Sequence, residues 1–414
     1  MRFRRATERD LDRLVEIHFA AYPDGGKNAP ARRRRFTHDP LGGLDDLVVV
    51  EDGGEIVAHA FLFSLRAYFG GRRVRTGGIA SLGVAPEARG RGIGTALMHR
   101  LHEMAKARGD VITMLHAFRH GFYARLGYAT TSSRKRLAFD ARSVPASWRE
   151  LAKDRVRRAR GADRAAMRLV HARAAARATG WIERTRAAWD DVLSRERRLF
   201  FVCDRPERNG GRSVSGYVAF ELVQEEEHAE TLIEVAELVA DDGESRRALI
   251  GSLAAMRDQV TEIVLEVAES DPLERALVDP DGRRFGTAAV EHGLGEIVGG
   301  PMVRLLDVRR ALEARGYRGS GAFDLDVLPD ETAQELALHV EVERGAAHVS
   351  TRRGRASSRA RALETTRAGL AAIFYGGLGV PDAVALGLAR ARPEVATHID
   401  AIVRLPPLAP VDAF

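Results

Sequence analysis

Two stretches of this chain repeat one design, and that repetition limits what the chain can fold into more than any other feature. Arg5-Ala6-Thr7-Glu8-Arg9-Asp10 leads into Leu11, Leu14, Val15 and His18 at helical spacing. About 153 residues on, Arg158-Ala159-Arg160-Gly161-Ala162-Asp163 leads into Met167, Val170 and His171 in the same way. Leu82-Gly83-Val84-Ala85 runs into a helix ending near Lys106, and about 155 residues on Leu238-Val239-Ala240 runs into one from Leu249 to Met256. Two matching offsets predict a tandem duplication. A chain of 414 residues is also longer than one hydrophobic core usually serves. The expected domains are 1–150, 151–304 and, where the texture changes, 305–414.

In the first copy, Val48-Val49-Val50 and Glu55-Ile56-Val57-Ala58 flank Asp52-Gly53-Gly54 as a β-hairpin. Ile79 to Val84 is a further strand. The helix after it carries Ile93, Leu97, Leu101 and Met104 on one face and stops at Gly109. Val111 to Leu115 forms the next strand. A helix first, then antiparallel and finally parallel strands, with a strand–loop–helix at the centre, is an α+β arrangement. In the third stretch Leu336, Leu338, Val340 and Val342 alternate, Arg344-Gly345 turns the chain, and Ala347 to Val349 returns. Helices are expected from Thr366 to Phe374 and from Pro381 to Ala389. The proline-rich Leu405 to Pro410 should run extended.

Between the strand ending at Val84 and its helix lies Arg89-Gly90-Arg91-Gly92-Ile93-Gly94. The first helical turn offers unpaired N–H groups and the positive end of the helix dipole, which together make an anion site. Glycines at 90, 92 and 94 let a ligand approach the backbone, and Arg89 and Arg91 add charge-assisted contacts to a diphosphate. A Walker loop would end Gly-Lys-Ser/Thr, whereas this one ends Gly94-Thr95-Ala96. A Rossmann turn would space its glycines differently and need an acidic ribose partner about 20 residues on.

Arg89-x-x-Gly92-x-Gly94 after Leu82-Gly83-Val84, with Pro86 two residues beyond, resembles the acetyl-CoA motif of the GNAT acetyltransferase superfamily. The whole chain resembles its Eis (enhanced intracellular survival) branch: two GNAT domains and a sterol-carrier-like C-terminal domain. The branch resemblance rests on length, the duplication, Arg315-Gly316-Tyr317-Arg318-Gly319-Ser320-Gly321, and the stretch from Thr365-Thr366-Arg367 to Tyr375-Gly376-Gly377. It implies acetyl transfer from acetyl-CoA to primary amines of aminoglycosides, other polyamines or protein lysines, and a homo-oligomer, a hexamer. By the same resemblance Leu82, Gly83 and Val84 face the pantetheine arm. Gly90, Arg91, Gly92, Ile93, Gly94 and Thr95 cradle the pyrophosphate flanked by Arg89, and Phe118 and Arg119 touch the cofactor again. Tyr123 is the implied proton donor to the leaving thiolate, and the terminal carboxylate of Phe414 the implied base. Asp24 and Asp412 are weaker candidates for holding a cationic substrate. For His116, His120 and His171 packing or surface roles are expected. The second copy carries Glu244, Arg247 and Leu249 where the first has Arg89, Gly92 and Gly94, so one CoA per chain is expected. The alternative is a catalytically idle CoA- or lipid-binding protein, which would bind without turnover.

Composition narrows the partners. The 64 basic and 58 acidic residues nearly cancel, leaving +6, and they are interspersed, so nucleic acid is not an expected partner. Lysine stands only at 27, 106, 135 and 153; the other cations are arginine. No apolar run approaches the roughly 20 residues of a membrane span, and no apolar stretch follows the basic Met1 to Arg5. A cytoplasmic protein without a membrane partner is expected. Cys203 is the one cysteine, so no intrachain disulfide or thiolate cluster can form. Beside Phe201 and Val202 it reads as buried filler, and no metal is expected.

Overall fold

A computed structural model describes residues 1–23, 28–207, 210–224, 231–279, 293–329, 334–353 and 362–405. The repeated N-terminal signature has a physical origin in it. Arg4 forks onto the Asp10 carboxylate at 2.7 and 3.0 Å, and Arg157 onto Asp163 at 2.8 Å twice. Each carboxylate also accepts a backbone N–H three residues upstream, from Thr7 and from Arg160, both at 2.7 Å. A short turn is thereby closed ahead of the helices Leu11–Ala21 and Arg164–Arg177. The chain opens not on a helix but on a strand, Arg2–Arg5, paired with Leu47–Asp52. With Phe3 as its one apolar residue it carries no alternation for sequence to reveal.

The first sheet has seven strands in the order Arg2–Arg5, Leu47–Asp52, Glu55–Phe69, Arg72–Val84, Ile112–Leu115, Met302–Leu305 and Ala129–Thr130. The second runs Gly295–Gly299, Ser133–Asp140, Glu262–Ala268, Thr231–Ala240, Arg212–Gln224, Leu199–Pro206 and Val156–Arg158. Read from opposite ends, the two orders match, and each contains a strand from beyond the expected boundary. Ser133–Asp140 leaves the first copy and pairs with Glu262–Ala268 and Gly295–Gly299. Met302–Leu305 leaves the second and pairs with Ile112–Leu115 and Ala129–Thr130. The two crossing segments run side by side, with Thr131 N–H on the Pro301 carbonyl and Gly300 N–H on that of Ser132. The copies thus exchange their last strands, which local hydrophobic patterning does not reveal.

The hairpin at Gly53 and Gly54 forms as expected, with φ of +62° and +88°. Helix Ile93–Arg108 ends on left-handed Gly109, and Cys203 is fully buried. In the third unit the alternation of Leu338, Val340 and Val342 buries one face of Leu336–Glu343, and the chain returns as Ala346–Thr351 after Arg344 and Gly345, both at positive φ. Its five strands order as Ala346–Thr351, Leu336–Glu343, Gly321–Val327, Ala362–Thr365 and Ala389–Arg390. The helix expected over Pro381 to Ala389 is Val380–Ala385. Left-handed Gly387 follows it and Ala389 enters a strand. The unit shares one core with the first sheet, where the Phe69 and Tyr375 rings lie 4.6 Å apart. Arg315 holds that junction. Fully buried, it donates to the carbonyls of Phe374 and Val403, the last residues of helices Arg367–Phe374 and Pro393–Val403, and stacks on Tyr317 at 4.3 Å. The negative ends of two helix dipoles stand where a counter-ion would otherwise be needed. No helix among the described residues is long and apolar enough to cross a membrane.

Candidate active site

A wedge opens in the first sheet because two parallel strands part. Arg72–Val84 pairs with Ile112–Leu115 only from Thr76 to Gly78, then runs six residues further without that neighbour. Against Glu55–Phe69 the register slips between His59 and Phe61, and Ser81 takes φ +50°. This bulge bends the strand away and leaves Leu82 to Val84 presenting backbone into the gap. Ser81 is not β-branched, which makes the left-handed conformation less costly.

At the mouth of the wedge the chain turns into helix Ile93–Arg108. Gly90 and Gly92 have φ of +77° and +75°, and a Cβ at either would meet nothing within 4 Å. Their glycines are needed for conformation; the space beside them is open. Gly92 is the N-cap and no side chain caps the helix, so its first N–H groups face outward. Arg89 bridges the Ala20 carbonyl at 2.9 Å and the Val84 carbonyl at 3.3 Å, fastening the loop to the first helix. Arg91 reaches back to Asp52 at 2.5 Å and holds that carboxyl below its usual range. Thr95 is exposed on the first turn and Ile93 is buried beneath it. Among the described residues no group of three or more potential ligands could hold a metal ion.

The far lip is helix His120–Ala124, whose Phe122 ring lies 3.6 Å from where a Cβ on Gly94 would stand. Tyr123 is 3 % exposed, edge-on to Phe122 at 4.9 Å and to Phe118 and Tyr128 at 6.0 Å each. Its hydroxyl has no hydrogen-bond partner among the described residues, and burial, then the nearby Tyr22, push it well above the usual phenol range. Tyr128 by contrast is locked between His102 and Thr113 at 2.8 Å each, a packing role. Phe118 is 67 % exposed and Arg119 exposed beside it, both on the loop after Ile112–Leu115. His116 is partly buried, His120 exposed, and His171 packs between Trp181 and Trp189. Phe414, Asp412 and Asp24 lie outside the described residues.

Sequence reading missed a group of rings behind Leu82 and Gly83. Tyr22 donates its hydroxyl to the Leu82 carbonyl at 2.9 Å and stacks on His18 at 4.7 Å. His18 lies 6.1 Å from His59 in a stacked pair, and Phe36 stands edge-on to both. The signal was faint: an imidazole interrupting the apolar run Ala58-His59-Ala60-Phe61. Burial, then the charge of Arg32, lower His18 to about 4; burial, then His18 and Arg32, lower His59 to about 3. Both are neutral near pH 7. The unfolded chain protonates them near 6.5 while the folded one does not until pH 3 to 4, so stability falls with pH through that window. Each buried imidazole should remove about 2 kcal/mol between pH 7 and pH 5. Urea unfolding at the two pH values should show the loss, and His59→Phe should reduce it; equal stability at both would contradict the burial.

The second copy has the same wedge without the same mouth. Thr231–Ala240 pairs with Glu262–Ala268 only from Leu232 to Val235, and a cavity of about 1150 Å³ opens beyond. Its strand ends at Ala240 and helix Gly243–Ala254 begins three residues later, leaving no diphosphate loop. Asp242 is the N-cap and accepts the Ser245 N–H at 2.7 Å, placing a carboxylate where Gly92 leaves N–H groups open. The counterpart of Gly92 is therefore Asp242, and the expected match with Glu244, Arg247 and Leu249 fails because the second loop is shorter. Within the wedge Glu237 is partly buried and held by Arg184 and Tyr217.

Residues 2–131 match one family and residues 180–305 another, both described as acetyltransferase (GNAT) domain. The chain is 28% identical over 329 residues to N-acetyltransferase Eis of Mycobacterium tuberculosis, covering 75% of each. The fold aligns with a GCN5-related N-acetyltransferase from Anabaena variabilis at TM-score 0.82 and 17% identity, covering all of both chains. It aligns with Eis1 from Mycobacterium abscessus at TM-score 0.75 and 21% identity, again over all of both.

Proposed function

Because this chain is an acetyltransferase of the GNAT family with two such domains in tandem, we propose that only its first domain works, moving an acetyl group from acetyl-CoA to a primary amine. The observation that carries the reading is the contrast at the two helix entries. Gly92 leaves the first helix uncapped beside an open wedge, while Asp242 closes the second. Leu82 to Val84 offer backbone partners to the pantetheine amides, and Ile93 to Thr95 offer N–H groups to the pyrophosphate. The Arg89 and Arg91 guanidiniums add positive charge at the mouth.

The amine nitrogen attacks the thioester carbonyl carbon, the C–N bond forms, and collapse of the tetrahedral intermediate breaks the C–S bond. Tyr123 gives its proton to the departing sulfur. Its unpartnered hydroxyl supports that role, and its raised pKa keeps the proton in place at every working pH. The amine's proton passes to the terminal carboxylate of Phe414, a role that rests on the Eis resemblance. Support from the chain itself is that Arg315 ties Val403, where the last helix ends, into the first-domain junction. Amidating the C-terminus should lower kcat at unchanged acetyl-CoA affinity, and a native rate in the amidated enzyme would remove Phe414 from the mechanism. The third unit as a sterol-carrier-like domain and a hexameric assembly rest on the same resemblance.

Thiol release from acetyl-CoA with a panel of amines, each product identified by mass spectrometry, tests the activity and names the acceptor. Binding without thiol release for every amine would mean an idle CoA-binding protein.

A further inference from the structure

Helix Ala29–Thr37 carries four consecutive arginines, and they differ in what they meet. Arg33 pairs with Asp12, and Arg35 with Asp39 and Asp191. Arg34 is exposed. Arg32 is turned toward the ring cluster behind Leu82, its guanidinium 5.9 Å from the centre of the buried Phe36 ring. Phe36 touches His18 and His59, His18 stacks on Tyr22, and Tyr22 bonds the Leu82 carbonyl. One continuous wall thus runs from Arg32 to the strand segment assigned above to the pantetheine arm. Burial is the main cause that lowers His18 and His59 and raises Tyr22, and the positive charge of Arg32 acts on all three, adding to the fall of the imidazoles and opposing the rise of the phenol.

Two features of this wall ask for a ligand. Arg32 is only partly exposed and its guanidinium has no ion pair or hydrogen bond among the described residues, whereas Arg33 and Arg35 each have a carboxylate partner and Arg34 is exposed. Burial lowers Arg32, and Asp39, paired with Arg35, acts on it only from a distance, so its charge is partly countered and a bound anion would offset the remaining cost of desolvation. Beside it, His18 is 5 % exposed with Nδ1 unpartnered, and His59 is fully buried with both ring nitrogens unpartnered. A neutral imidazole carries one donor and one acceptor nitrogen. The diphosphate is accounted for elsewhere, at the open start of helix Ile93–Arg108.

We propose that Arg32 is a specificity residue that binds an anionic group, a carboxylate or a phosphate, carried by the acceptor amine, in front of the ring wall that His18 and His59 complete. The inference rests on the reading that the first domain acetylates amines, and it separates acceptors within that class. An amine bearing an acid is favoured over a purely cationic one, because a polycation would meet the like charge of Arg32.

Matched pairs test this. Lysine differs from cadaverine by its carboxylate, and phosphoethanolamine from ethanolamine by its phosphate, so the two pairs also tell which anion is preferred. Equilibrium binding of each amine to the CoA-loaded protein, alongside thiol release from acetyl-CoA, separates recognition from chemistry. The acid-bearing member of at least one pair should bind roughly tenfold more tightly. That preference should vanish in Arg32→Gln, survive in part in Arg32→Lys, and appear in KM with kcat little changed. Equal binding within both pairs, or an Arg32→Gln variant that keeps the wild-type ratio, overturns the proposal. So does a loss of kcat equal for both members, which would place Arg32 in the transfer step or in the fold. Anion-dependent binding without thiol release from any amine would uphold the Arg32 site while overturning the acetyltransferase reading of the first domain.

Discussion

Gly92→Glu should abolish acetyl-CoA binding in a protein that still folds. Gly92 has φ +75°, so a side chain there costs about 1 kcal/mol of backbone strain. A glutamate at the start of a helix is otherwise welcome, since it complements the dipole and its Cβ meets no atom within 4 Å. Folding therefore survives. Binding does not, because the same N–H groups that would hold a diphosphate now face a fixed carboxylate. Two like charges about 4 Å apart at an effective dielectric near 20 repel by about 4 kcal/mol, roughly three orders of magnitude in affinity. Gly92→Asn separates the two causes, since asparagine tolerates left-handed backbone and carries no charge. It should keep most of the affinity. A folded Gly92→Glu protein with native affinity would show that the diphosphate lies elsewhere.

Tyr123→Phe should lower kcat by about 10² to 10⁴ while leaving acetyl-CoA affinity nearly unchanged. The ring packs against Phe118, Phe122 and Tyr128, and phenylalanine preserves all of that. The hydroxyl makes no hydrogen bond among the described residues, so its loss leaves no partner stranded. Only the proton disappears. A phenol near 10 giving its proton to a thiolate whose acid is near 8.5 goes uphill by about 2 kcal/mol in water. Burial raises the phenol further, and the thiolate in the same dry wedge is raised with it, so the match is kept. With a thiol of lower pKa as the leaving group, the variant should recover part of its rate, because such a thiolate departs without a proton. Wild-type kcat in the folded variant would remove Tyr123 from the chemistry.

The elements around the proposed cofactor site were legible because each is set by residues close in sequence. Gly109 ends its helix, Gly53-Gly54 turns the hairpin, and the run from Arg89 to Gly94 marks the helix entry. What could not be read depends on partners far along the chain. Ser133–Asp140 and Met302–Leu305 look like ordinary strands of their own copies, and only the assembled sheets reveal the exchange. The bulge at Ser81 follows from strand pairing, which no local pattern encodes. Likewise Arg32 is one of four arginines in a row, distinguished only by the direction the helix turns it. The second helix entry was misaligned because a missing loop shifts the register, so that Asp242, and not Arg247, stands where Gly92 does.

The division of labour between the two copies is tested most directly by the stoichiometry of acetyl-CoA binding, measured by titration calorimetry on the full chain. The account predicts one site per chain in the wild type and none in Gly92→Glu. It also predicts one site in Asp242→Gly, since uncapping the second helix does not restore the loop between Ala240 and Gly243. Two sites per chain in the wild type, or a site that persists in a folded Gly92→Glu protein, would contradict it.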